Sequence, residues 1–136
     1  MSARQDDRRR IGEVWHSTEQ LKRRLRDGLI TKSILVSPQN VLEEMAADGI
    51  VYSLQRILEE VVALSDGTKV QFPDCEWNEI RGMRDRLVHD HAGVGSDFVW
   101  DAIENEVPRL QQLCLDFCAL HGLSIDEVAP VDQTRP

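Results

Sequence analysis

The sequence contains no internal repeat and no low-complexity linker, so its 136 residues offer no point at which to divide them into domains. No apolar run approaches the roughly 18 to 20 residues that a membrane span needs. The N-terminal segment MSARQDDRRR has no apolar stretch after its charges and does not read as a secretory signal. There are only three cysteines, an odd number, and nothing else suggests secretion. They are expected as reduced thiols in a cytoplasmic protein. Aromatic residues make up only 5% of the chain, and runs that alternate polar with apolar residues are missing. The dominant period is helical. These absences leave one all-α domain over residues 1–128, with a flexible tail over 129–136.

Charge is present but unevenly spread. Residues 1–32 hold nine Lys/Arg and five Asp/Glu, a balance of +4, while the remainder carries seven and nineteen, a balance of −12. An acidic chain of this kind does not grip nucleic acid by bulk charge, because phosphate contacts need local cations. Solubility is the plainer meaning of the acidic surface. Any action on RNA requires cations concentrated at one place.

Four helices follow from the apolar stripes. The first runs from about Asp7 to Asp27 with Ile11, Val14, Trp15, Thr18, Leu21 and Leu25 on one face, and Gly28 stops it. The second begins at Ser37-Pro38, an N-cap followed by proline in the first turn. Its stripe is Val41, Leu42, Met45, Ile50, Leu54, Ile57, Leu58, Val61 and Val62, with a weak point at Gly49 and an end at Ser65-Asp66-Gly67. After Pro73, Asp74 caps the third, whose stripe is Trp77, Ile80, Met83, Leu87 and Val88. The segment from Ala92 to Ser96 breaks the pattern. The fourth helix runs to about His121 with Trp100, Ile103, Val107, Leu110, Cys114, Phe117 and Leu120 inward, and with a kink at Pro108. Ser124 to Glu127 reads as a capping box opening one short turn. The expected architecture is a helical bundle of four main helices plus a short C-terminal turn.

The densest titratable group runs from Arg81 to His91, Arg-Gly-Met-Arg-Asp-Arg-Leu-Val-His-Asp-His. Three arginines and two histidines stand at a helix end in an otherwise acidic region. Metal-free RNA cleavage needs a base for the 2′-hydroxyl proton, an acid for the leaving oxygen and a cation on the phosphate. Histidine, with a reference pKa of about 6.5, moves protons at neutral pH. Arginine offers planar, permanently charged donors to phosphate. Arg84 and His89 are five residues apart, about 140° around an ideal helix. Either the helix deforms near His89 or two chains in a symmetric dimer bring the residues together. Arg81, Asp85 and His89 do align at i, i+4 and i+8, so Asp85 can orient the His89 ring. The same spacing also suits a solvated salt-bridge ladder.

The stretch from Trp77 to His89 resembles the signature region of HepT-like HEPN ribonuclease toxins. In that pattern a tryptophan is followed by an arginine, a polar residue, and a histidine five after the arginine. The runs Val94 to Trp100 and Glu106 to Leu110 look like the family's next helix, and the similarity extends from about Leu54 to Leu113. The resemblance implies a HEPN-type bundle that forms a homodimer. It also implies a metal-independent endoribonuclease toxin of a type VII HEPN/nucleotidyltransferase toxin–antitoxin system, with a minimal nucleotidyltransferase antitoxin as partner and no cofactor. Carried over, Arg84 and His89 are the motif pair and Asp85 the polar position between them. Arg81, Arg86 and His91 are weaker candidates for binding the RNA substrate. One departure stands out: the family usually has a tyrosine two residues after the histidine, thought to be adenylylated by the antitoxin. Here that position is His91, followed by Ala92, and the sole tyrosine is Tyr52. That departure favours a second reading, a catalytically silent helical module that binds a nucleotidyltransferase or a nucleotide.

Other groups carry less. Cys114, Cys118 and His121 share a helical face but lack a fourth ligand from another element, so they read as core and not as a metal site. The tryptophans read as core. The Arg8-Arg9-Arg10 run reads as a solvated arm, and the cluster Lys22-Arg23-Arg24-Arg26 as a similar group better placed to face a cleft.

Overall fold

The computed structural model describes residues 3–89 and 96–129. Among the described residues there are seven helices and no strand: α1 Ala3–Asp27, α2 Lys32–Val36, α3 Val41–Val62, α4 Asp66–Gln71, α5 Trp77–His89, α6 Ser96–Leu120 and α7 Ile125–Val128. The all-α bundle stands, with α2 and α4 added as short helices inside the connections. No described helix is long and apolar enough to cross a membrane.

The stripes converge on one core. Ile11, Val14 and Leu21 of α1 meet Leu54, Ile57, Leu58 and Val61 of α3 and Val107, Leu110 and Phe117 of α6, with Ile80 and Leu87 of α5 closing one side. Burying such side chains is the main favourable contribution to the fold. The polar contacts fix the directions. Arg10 Nη1 meets Glu60 Oε2 at 3.0 Å, and fourteen residues along α1, Arg24 Nη1 donates to Ser53 Oγ at 3.2 Å. The helices α1 and α3 are therefore antiparallel. Cys114 Sγ bonds the Ile11 carbonyl and Gln111 Nε2 the Thr18 hydroxyl, so α6 also opposes α1. Trp77 at the start of α5 donates its ring N–H to the Phe72 carbonyl, just past α4. From there α5 runs back along α3.

The bundle consequently has two ends. One gathers the starts of α1 and α5 with the ends of α3 and α6, together with α4 and α7. The other gathers the ends of α1 and α5 with the starts of α3 and α6, together with α2; Lys32 and Asp97 meet there at 3.8 Å.

The first end is tied by Asp7, only 2% exposed. Its carboxylate accepts the Ser65 backbone N–H at 2.9 Å, the Thr68 hydroxyl at 2.6 Å and the Ser65 hydroxyl. Burial pushes the Asp7 pKa up. The bonds from Ser65 and Thr68, with Arg10 nearby, more than offset this and hold it below its ordinary value of 3.8. Gly12 faces α7 so closely that a Cβ there would stand 2.2 Å from the Val128 carbonyl oxygen.

Several expectations need correction. α1 starts at Ala3, a turn before Asp7. Ser37 does not cap the second long helix; it ends α2, and Asn40 caps α3 by accepting the Glu43 N–H. Ser65 is not a stop but the N-cap of α4. α5 begins at Trp77, not directly after Asp74. Val41, Leu42 and Met45 do not face inward: they are 67%, 77% and 64% exposed, because α3 starts beyond the reach of the core. Val88 and Leu120 are exposed as well. α3 continues as helix through Gly49, and α6 through Pro108. At α7, Glu127 accepts the Ser124 N–H at 3.2 Å, the return arm of the expected capping box. Of the expected break at 92–96, residues 92–95 lie outside the described residues and Ser96 opens α6; of the expected tail at 129–136, residues 130–136 lie outside them.

Candidate active site

Burial of Ile80 and Leu87 fixes the rotation of α5, and the docked Trp77 fixes its start. Every other side chain on the helix is then placed. Arg81, Arg86 and His89 are exposed, and Arg84 and Asp85 are half-buried. His91 lies outside the described residues.

Arg84 Nε donates to Asp85 Oδ1 at 2.7 Å. Among the described residues the two terminal nitrogens of this guanidinium carry no bond. The ion pair thus holds the arginine by one edge and leaves its fork for an anion, the geometry that suits a phosphate. It also takes the carboxylate expected to orient His89. A permanently charged neighbour outcompetes an imidazole one turn away, and among the described residues His89 has no hydrogen-bond partner.

Arg86 is committed elsewhere. Its guanidinium lies 4.1 Å from the centre of the Phe98 ring on α6. A cation over an aromatic face ties the end of α5 to the start of α6. By sequence Arg86 belongs with the substrate-binding candidates and Phe98 has no part; a stacking contact between separate helices has no local signal. Arg81 lies one turn before Arg84 on the same side. Because α5 remains α-helical through His89, Arg84 and His89 stay about 140° apart around it. A single chain does not bring them together.

The two ends of α5 differ in charge. Beside its start, a cavity of about 520 Å³ is rimmed by Asp74, Glu76, Glu106 and Asp116 against the single Arg109. Glu79 is hydrogen-bonded to Glu76, and that bond, reinforced by the charge of Glu76, pushes its pKa above the ordinary range. The acidic rim disfavours a phosphate there.

Nucleophilic cysteine is not on offer. Burial pushes the Cys114 thiol up to about 12 and the Cys75 thiol up to about 11, and raises Cys118 as well. Cys114 and Cys118 are buried in the core, as expected. Among the described residues no three His, Cys, Asp or Glu side chains are grouped as a metal site requires.

Residues 19–116, from the middle of α1 almost to the end of α6, match the family described as "Ribonuclease HepT-like". A protein of Caldanaerobacter subterraneus subsp. tengcongensis named "Putative RNase" is 37% identical over 62 residues, 46% of this chain and 55% of its own length. One of the same name from Methanocaldococcus jannaschii is 30% identical over 60 residues, 44% and 50% of the two chains. A "Probable ribonuclease HepT" of Thermococcus cleftensis is 27% identical over 62 residues, 46% and 56%. The chain thus spans about half the length of these relatives. No solved structure matches it. With the family match covering all of α3 to α5 and most of α6, the chain belongs to the HepT-like ribonuclease family.

Proposed function

We propose that the chain is a metal-independent endoribonuclease, the toxin of a HEPN/nucleotidyltransferase toxin–antitoxin pair. Membership of a ribonuclease family supports RNA as the substrate. The observation that carries the mechanism is the form of Arg84: half-buried, held through Nε by Asp85, with its fork left open, on the same helix as an exposed His89.

The chemistry uses the nucleophile that RNA itself supplies. A histidine takes the 2′-hydroxyl proton, the 2′-oxygen attacks phosphorus, and the bond to the 5′-oxygen breaks. A second proton transfer completes the leaving 5′-hydroxyl and leaves a 2′,3′-cyclic phosphate. Arg84 neutralises the charge that builds on the non-bridging oxygens. His89 is the proton-transfer group, Asp85 positions Arg84, and Arg81 and His91 contact the flanking RNA. Because α5 separates Arg84 from His89 around its axis, the working form is a two-fold homodimer in which the two helix ends share a cleft. Light scattering should give twice the 15.5 kDa of one chain; a monomer would remove this cleft. The partner in the cell is a minimal nucleotidyltransferase, and the protein acts in the cytoplasm.

The direct test is substitution. His89→Ala and Arg84→Ala should each slow RNA cleavage by about 100- to 10,000-fold while leaving the melting temperature unchanged, since neither side chain enters the core. Normal cleavage by His89→Ala, or its unfolding, would assign the histidine a structural role.

A further inference from the structure

A groove separate from Arg84 and His89 opens between the last turn of α1 and the first half of α3. It encloses about 520 Å³. Ile30, Ala46, Gly49 and Ile50 line it with apolar surface, and Arg23 and Arg24 line it with charge. Asp27 also lies there, but its carboxylate is held by Arg26 at 3.1 Å. We propose that this groove is a nucleotide subsite for single-stranded RNA. One base lies on the apolar floor beside Tyr52, and the adjoining phosphates lie on Arg23 and Arg24. The proposal rests on the ribonuclease reading and extends its substrate contacts beyond α5.

Four observations carry it. First, the charge is in the right place. The chain as a whole is at −8, yet Arg23 and Arg24 line the groove, and its one carboxylate, Asp27, is paired with Arg26. A polyanion can be held only where cations are gathered. Second, the floor has room. A Cβ on Gly49 would meet nothing within 4 Å, and the side chain absent there leaves a flat bed on α3. Third, the cation is tied to the floor, and an exposed aromatic stands on the same helix one turn away. Tyr52 is exposed at 59%, one turn along α3 from Gly49. Its neighbour Ser53 accepts from Arg24 and donates to the Gly49 carbonyl at 2.9 Å, which ties the guanidinium to the floor. An aromatic face beside a cationic track is how proteins hold single strands without reading sequence. Fourth, the location fits. The end of α1 and the first half of α3 belong to the same end of the bundle as the end of α5, where His89 stands, and α3 packs against both helices.

The test uses the full chain and a fluorescent single-stranded 2′-O-methyl RNA of mixed sequence, which binds but lacks the attacking hydroxyl. Anisotropy is measured over a range of salt for the wild type, Arg24→Gln and Gly49→Leu. Arg24→Gln should bind about tenfold more weakly. Its dependence of log affinity on log salt should flatten by about 0.7 for each phosphate that the variant no longer neutralises. Gly49→Leu should weaken binding with the slope unchanged and the melting temperature not lowered, because leucine favours a helix over glycine and enters open space. Unchanged affinity and slope in both variants, or no binding by the wild type, overturns the subsite. So does conversion of a dimer to a monomer by Gly49→Leu, which would make the groove a joint between copies. Cleavage of unmodified RNA is followed in parallel. Binding that the variants weaken, without any cleavage by the wild type, would sink the ribonuclease reading and leave the subsite standing. Cleavage with binding that neither variant affects would do the reverse.

Discussion

At the end of the bundle where α1 begins, a buried carboxylate ties two helices together, whereas at the end where α5 stops a run of apolar side chains on α3 and the histidine of α5 stand on the surface. The first end holds the Asp7 carboxylate against Ser65 and Thr68, and seats α7 against Gly12. The second exposes Val41, Leu42 and Met45 on α3 and His89 on α5. Even the same device is built differently at the two ends. α6 closes with Leu123 N–H on the Cys118 carbonyl and Gly122 N–H on that of Ala119, and Gly122 takes the left-handed backbone at φ 68°. α1 closes with the same pair of bonds, Ile30 to Leu25 and Leu29 to Arg26, but the left-handed residue is Leu29 at φ 54°. The first end is tied at Asp7 and α7, although His121 Nε2, buried beside Phe117, has no hydrogen-bond partner among the described residues; the second end carries fewer such ties.

Substitutions should separate the two ends. The largest effect on stability is expected at Asp7. Asp7→Ala leaves the Ser65 N–H and the Ser65 and Thr68 hydroxyls without their acceptor, a loss of about 3 kcal/mol visible in the urea midpoint. RNA cleavage at a temperature where the variant remains folded should not change. The pH dependence follows from the sign of the shift. The folded pKa of Asp7 is below 3.8, so its contribution is complete above that value and disappears as pH falls through the folded one. The wild-type midpoint should therefore drop more steeply below about pH 4 than that of Asp7→Ala. Equal slopes would remove Asp7 as the tie at this end.

A smaller effect of opposite sign is expected at the other end. A left-handed backbone costs a residue with a Cβ about 1 to 2 kcal/mol, and Leu29, 77% exposed, recovers little by burial. Leu29→Gly should raise stability by about 1 kcal/mol. A fall in melting temperature would mean that Leu29 is held by packing and not strained.

The long helices were legible because each carries a repeating apolar stripe, and the cores of α1, α3 and α6 lie close to where those stripes place them. What escaped has physical causes. α2 and α4 are too short to show a period. Ser37 and Asn40 both make plausible caps, and only the extent of the core decides between them. Val41, Leu42 and Met45 continue the stripe of α3 although none of the described residues covers them, since periodicity records that a face is apolar but not what it meets. The bond from Asp7 to Ser65 spans 58 positions and has no local signature. At the candidate site, the position of Arg84 and His89 on one helix was readable, as was the problem of their separation around it. The pairing of Asp85 with Arg84 was not, because spacing alone favoured His89.

The central claim is that RNA supplies its own nucleophile to the group built on Arg84 and His89. The most direct measurement compares two RNAs that differ only in one 2′-deoxy position at the cut site, each incubated with purified protein in the presence and absence of EDTA. The account predicts cleavage of the ribose substrate with and without chelator, a 2′,3′-cyclic phosphate on its product, and no cut at the deoxy position. Cleavage at the deoxy position, or a strict requirement for a divalent metal, would contradict it.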